Sequence, residues 1–149
     1  MDKHIKIAAL YIAALEAVAL IHTRNHWISK GNAFYGDHLL FERIYKTALE
    51  DFDSAAERFV GLFGTDVLDY QTHVALISGV MSKYKLVSGS PAAQSLAAEQ
   101  GFLKLASDAY KSFEETGHLT LGLEDLMPAI SSSRESAIYL LKQKLAEEE

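Results

Sequence analysis

HWISKGNAFYGDHLLFERIYKTALEDFDSAAER, residues 26–58, is the stretch that decides the fold. It opens on a break: Lys30-Gly31-Asn32 can end one helix and turn the chain into the next. From Asp37 to Val60 there is neither Pro nor Gly, so a second helix starting near Ala33 can run to Gly61 or Gly64. A connection this short makes the second helix an antiparallel neighbour of the first. At about 100° per residue, His38, Glu42, Asp53 and Glu57 all fall within an arc of roughly 100° on one face of it.

Upstream, a first helix is predicted from about Lys3 to Ser29. Residues 7–21, IAALYIAALEAVALI, follow Lys3 and Lys6 and resemble a signal peptide, with Ala17-Val18-Ala19 as a small-residue cleavage site. The run is shorter than the roughly 20 residues of a membrane span and carries Glu16 near its middle. We read it as a helix buried on most faces, by its own bundle and by a neighbouring subunit. Downstream, Ser90-Pro91 is a favourable N-cap and first position for a third helix, which Gly117 ends. Its apolar face is expected to carry Leu96, Leu103 and Tyr110 with Ala106 and Phe113. A fourth runs from about Leu123 to Lys144, presenting Leu126, Ile130, Ala137, Leu141 and Leu145. Pro128 fits only in its first turn. Thr65–Ser90 is long enough to travel the whole bundle, and Asp66–Ile77 within it could form a short helix presenting Val67, Tyr70, Val74 and Ile77. Two hairpins joined by one long crossover give an all-α, ferritin-like four-helix bundle, read as a single domain over residues 1–149.

Composition narrows the function. The chain has 149 residues, 49% apolar and 23% charged, ordinary values for a globular protein. With no Cys, thiolate metal sites, iron–sulfur clusters and Cys nucleophiles are excluded. A net charge of −6 and the absence of a basic tail argue against direct DNA binding. No membrane partner is expected, and the expected location is the cytoplasm.

The stripe on the second helix presents one imidazole and three carboxylates. His26 can fold back across the short turn beside His38. Imidazole with carboxylate suits iron, zinc or manganese. At 1.5 Å per residue, however, the His38/Glu42 pair lies roughly 22 Å from the Asp53/Glu57 pair, too far for one metal site. A two-fold axis crossing the helix between them, near Thr47 and Ala48, would set His38 and Glu42 of one chain against Asp53 and Glu57 of another. Thr47 and Ala48 are small enough for close approach there.

The run His26-Trp27, Lys30-Gly31, Phe34, His38, Phe41-Glu42, Tyr45, Asp53 and Ala56-Glu57-Arg58 resembles the signature of the Dps proteins, the mini-ferritins. The resemblance implies a ferroxidase site made of His26, His38 and Glu42 from one subunit with Asp53 and Glu57 from its two-fold mate. It implies a hollow homo-dodecamer of about 198 kDa, from chains of 16.5 kDa. That shell would oxidise Fe(II), preferably with hydrogen peroxide and otherwise with oxygen. It would store the ferric mineral and so limit oxidative damage. This chain departs from the pattern in lacking a Lys-rich tail, in residues 64–88, and in Glu42, where Asp is frequent.

By the same resemblance Trp27 lies close to the site; its alternative is packing at the dimer interface. His22 is a further candidate ligand or a helix-surface histidine. Glu115-Thr116-Gly117-His118 has the ExxH spacing of intrachain di-iron sites, read as chance without a second copy. Glu114, Glu115, Glu124 and Asp125 form either an acidic pore or a solvated turn. Arg58 is expected to pair with an interface carboxylate. The competing function is a non-catalytic cage or scaffold, zinc-binding or DNA-associated.

Overall fold

A computed structural model describes residues 2–148. The chain runs through α1 (Lys3–Ile28), α2 (Phe34–Phe63), a 3-10 turn (Thr65–Leu68), α3 (Tyr70–Lys85), α4 (Pro91–Glu115) and α5 (Leu121–Glu148). In the bundle α1 packs on α2 and α4, and α5 on α4 and α2, so α1 and α5 are diagonal. His26 of α1 meets His38 near the start of α2, and His22 meets Ser95 near the start of α4. Both helices therefore start beside the end of α1 and run parallel, which is why the crossover must return the length of the bundle.

The boundaries have local causes. Gly31 and Gly64 sit at φ +94° and +90°, a conformation that costs other residues strain. So α2 passes through Gly61 and stops before Gly64. Ser90 Oγ accepts from the Ala93 N–H and Pro91 opens α4, as expected. Thr120 Oγ1 accepts from the Leu123 N–H at the head of α5.

Helix α1 is long and apolar enough to cross a membrane, with a mean hydropathy of 1.8 over its most apolar stretch, yet 61% of that stretch is buried inside the fold. A third side of it is covered by α3, which packs along it. Tyr84 seats α3 at its far end, its hydroxyl lying where a Cβ on Gly101 of α4 would stand, so a side chain there would push the ring aside.

Three expectations are corrected. The crossover helix is not Asp66–Ile77. Asp69 breaks that run by accepting from the Thr72 N–H, so a new helix starts there and continues to Lys85. Val67 is buried, but Tyr70 and Val74 stay exposed, because the restart turns a different face inward: His73, Ile77, Val80 and Tyr84. In α4, Leu96, Leu103 and Tyr110 are only half-buried. The innermost line is Ser95, Glu99, Phe102, Ala106, Ala109 and Phe113, and its two polar members hid it from an apolar count. Pro128 lies well inside α5, beyond the first turn. It is exposed, as is Glu124, whose carbonyl lacks an N–H partner there and can turn to water.

Candidate metal centre

His26 and His38 are brought together by the turn between α1 and α2. Their rings stack with centroids 3.6 Å apart at 21°. Each holds the other's backbone: His26 Nδ1 lies 2.7 Å from the His38 carbonyl oxygen, and His38 Nδ1 lies 3.0 Å from that of His26. A carbonyl only accepts, so both rings carry their hydrogen on Nδ1 and donate it. Both Nε2 lone pairs are therefore directed away from the backbone and free. A ring N–H given to a backbone carbonyl is the usual way a metal-binding histidine is oriented. Tyr45 stands edge-on to His26 with centroids 5.4 Å apart, and Phe34 flanks His38 at 5.1 Å.

Glu42 lies one turn beyond His38 on α2. Its Oε1 accepts from Lys46 Nζ at 2.9 Å. That hydrogen bond and the Lys46 charge hold its carboxyl below the usual range. Lys46 had been passed over in the sequence, although Glu followed by Lys four residues on is a standard helix-face pair.

Asp53 and Glu57 are exposed on α2 and do not approach the histidines. Because α2 is one unbroken helix, the separation of roughly 22 Å stands. Among the described residues, no group of three or more His, Asp or Glu within the chain could hold a metal ion. Thr47 and Ala48 do not present the small surface expected of them at the crossing. Ala48 is fully buried, and Thr47 turns its hydroxyl to Arg134 Nη2, 2.7 Å away. Both lie about 130° from the centre of the ligand stripe, on the core side. Around the His38/Glu42 end and midway along the helix, Tyr35, Leu39, Lys46 and Leu49 share the stripe's face and are exposed.

His22 is neither a surface histidine nor a free ligand. It is fully buried within a chain of hydrogen bonds: Asn25 Nδ2 donates to Ser95 Oγ at 2.7 Å, Ser95 lies 2.9 Å from His22 Nδ1, and His22 Nε2 lies 3.3 Å from Glu99 Oε1. Burial pushes its pKa down, outweighing the Glu99 carboxylate, so the ring is neutral and donates through Nε2. Arg134 answers Glu99 at 3.3 Å and Asp51 at 3.4 Å. Asp51 thus faces the core while Asp53, two residues on, faces out. Trp27 is 73% exposed beside His26. Arg58 lies over Gly122 at the start of α5. Glu114, Glu115, Glu124 and Asp125 are all exposed around the α4–α5 turn.

No protein-family model matches the chain, and none of the curated proteins compared with it does. Solved structures do match. The Dps of Thermosynechococcus elongatus superposes with a TM-score of 0.80 at 20% identity, over 96% of this chain and 90% of that one. DpsC of Streptomyces coelicolor gives 0.77 at 23% identity, over 95% and 83%. The fold is therefore the ferritin-like fold of Dps structures.

Proposed function

We propose that the chain is a Dps-type mini-ferritin subunit that oxidises Fe(II) at a site shared across a two-fold axis. The observation that carries this is the reciprocal His26–His38 pair, whose Nε2 atoms make no hydrogen bond among the described residues, with Glu42 one turn along α2 from His38. The Dps fold supports it, and so does the exposed face of α2, where Tyr35, Leu39 and Leu49 offer apolar surface between and around the ligands.

On this reading His26, His38 and Glu42 bind Fe(II) with Asp53 of the partner subunit and Glu57 of the partner subunit. The ligands are too far apart in one chain, and antiparallel pairing of α2 brings them together twice per dimer. Iron is the substrate. Two Fe(II) ions give one electron each to hydrogen peroxide, which takes up two protons and leaves as two waters. Carboxylates stabilise the Fe(III) product, which passes to a mineral within a closed dodecameric assembly.

The test is ferric absorbance after anaerobic Fe(II) loading and addition of peroxide. The parent should oxidise Fe(II) stoichiometrically, whereas His38→Ala/Glu42→Ala and Asp53→Ala/Glu57→Ala should each fall towards the protein-free rate. Mixing the two inactive variants under conditions that exchange subunits should restore part of the activity, since each supplies the half the other lacks. Activity unchanged in either variant would reject the shared site, and a parent no faster than the protein-free control would leave the non-catalytic cage.

A further inference from the structure

We propose a second transition-metal site, formed by His4 and His118 at the opposite end of α1 from the His26–His38 pair. His4 lies in the first turn of α1 and His118 in the turn between α4 and α5. Their rings stack with centroids 3.8 Å apart at 12°, nearly the arrangement of the first pair. Phe63, at the end of α2, stands edge-on to both, 4.9 Å from His4 and 5.9 Å from His118. It forms an apolar wall behind the two imidazoles.

The tautomer of His118 follows from its neighbours. The Thr116 hydroxyl donates to the Ser112 carbonyl at 2.8 Å, so its oxygen has only lone pairs left to offer. His118 Nδ1, 2.9 Å from that oxygen, must therefore donate to it. This puts the hydrogen on Nδ1 and leaves the Nε2 lone pair free, by a route independent of the first pair. Among the described residues, no hydrogen bond engages either ring nitrogen of His4. Both side chains are half-buried: partly held, and open to solvent. The backbone of His118 is pinned as well, its N–H donating to the Phe113 carbonyl at 2.8 Å.

Two imidazoles close together, one oriented by a hydroxyl acceptor, suit an ion of intermediate softness such as Zn(II) more than a hard ion such as Mg(II). A small opening of the stacked rings would let both bind one ion, water filling the other positions. Glu114, Glu115, Glu124 and Asp125 flank the same turn and raise the local cation concentration. The ion pairs of the bundle core and the ligands on α2 have no part in it.

The test uses the assembled protein and Zn(II) alone, read by diethyl pyrocarbonate modification of individual histidines and mass spectrometry. Zn(II) should slow modification of His4 and His118 together, over the same concentration range, and Mg(II) should not. In His118→Gln, protection of His4 should vanish, as a chelate requires. Thr116→Val, which removes the acceptor for His118 Nδ1, should raise the Zn(II) concentration needed by about tenfold. Absence of Zn(II) protection in the unmodified protein would overturn the proposal. So would protection of His4 that survives His118→Gln.

Discussion

Replacing Arg134 with Met tests the architecture at its most expensive point. Arg134 is fully buried, and its guanidinium is the one cation set among Glu99, Asp51 and the Thr47 hydroxyl. Met keeps much of the volume but leaves Glu99, itself fully buried, without a compensating charge. Removing one partner of a buried pair typically costs about 3–5 kcal/mol. A domain of this size has about 5–15 kcal/mol in total, so Arg134→Met should be folded but much weakened. At about 2–4 °C per kcal/mol, the melting temperature should drop by roughly 10 °C. Adding Glu99→Leu removes the orphaned charge. What then remains unpaired is mainly the His22 Nε2–H, a loss of about 1–3 kcal/mol. The double variant should therefore melt above the single one, a recovery that additive damage cannot produce. The assay is thermal unfolding by circular dichroism at one fixed protein concentration, because assembly itself stabilises. An Arg134→Met protein melting within about 2 °C of the parent, or a double variant melting below the single, would refute the reasoning.

Two further predictions follow from the same core. The pKa of His22 is lowered by burial, so between that value and the ordinary 6.5 the unfolded chain binds a proton the folded one refuses. Its contribution is complete above about pH 6.5 and is lost as pH falls below it. Melting temperature should therefore decline from pH 7.5 to 5.5, and less steeply in His22→Gln; equal slopes would show that another group governs the decline. Gly101→Ala puts a Cβ into the Tyr84 hydroxyl and should cost about 1–3 kcal/mol while loosening α3. Limited proteolysis should then cut near residues 86–90 faster than in the parent, and an unchanged cleavage rate would mean Tyr84 does not seat the helix.

The residues that break and start helices made much of the fold legible. Gly31 and Ser90-Pro91 marked two boundaries, and Gly61 or Gly64 a third, because each acts through its own backbone or a neighbour one turn away. Asp69 misled because an Asp within an apolar-periodic run can either lie on the surface or cap a new helix, and the difference is one hydrogen bond to Thr72. The stripe of α4 was displaced for a different reason: Ser95 and Glu99 are buried only because His22, Asn25 and Arg134 arrive from other helices, and no local count contains that information. At the candidate site, the spacing of His38, Glu42, Asp53 and Glu57 was readable from one helix. The stacking of His26 on His38 depends on the path of the turn, whereas the inward direction of Thr47 and Ala48 already follows from their place about 130° from the stripe on the same helix.

The buried network also bears on where metal chemistry can reside. Four-helix bundles commonly hold metal between carboxylates and histidines that project inward from facing helices. This chain projects His22 from α1, Asp51 from α2 and Glu99 from α4 into its centre, a usable ligand set by residue type. The fourth helix sends Arg134 into the same space, and its permanent charge pairs with both carboxylates while His22 spends its Nε2–H on Glu99. A divalent ion entering there would have to displace a guanidinium that cannot lose its proton, within a low-dielectric core. The opposite holds on the outward side of α2, where His26 and His38 keep their Nε2 atoms free and Glu42 gives only one oxygen to an exposed lysine. The same helix thus turns Asp51 inward to a fixed cation and Asp53 outward, where only an ion from solution or another subunit can answer it.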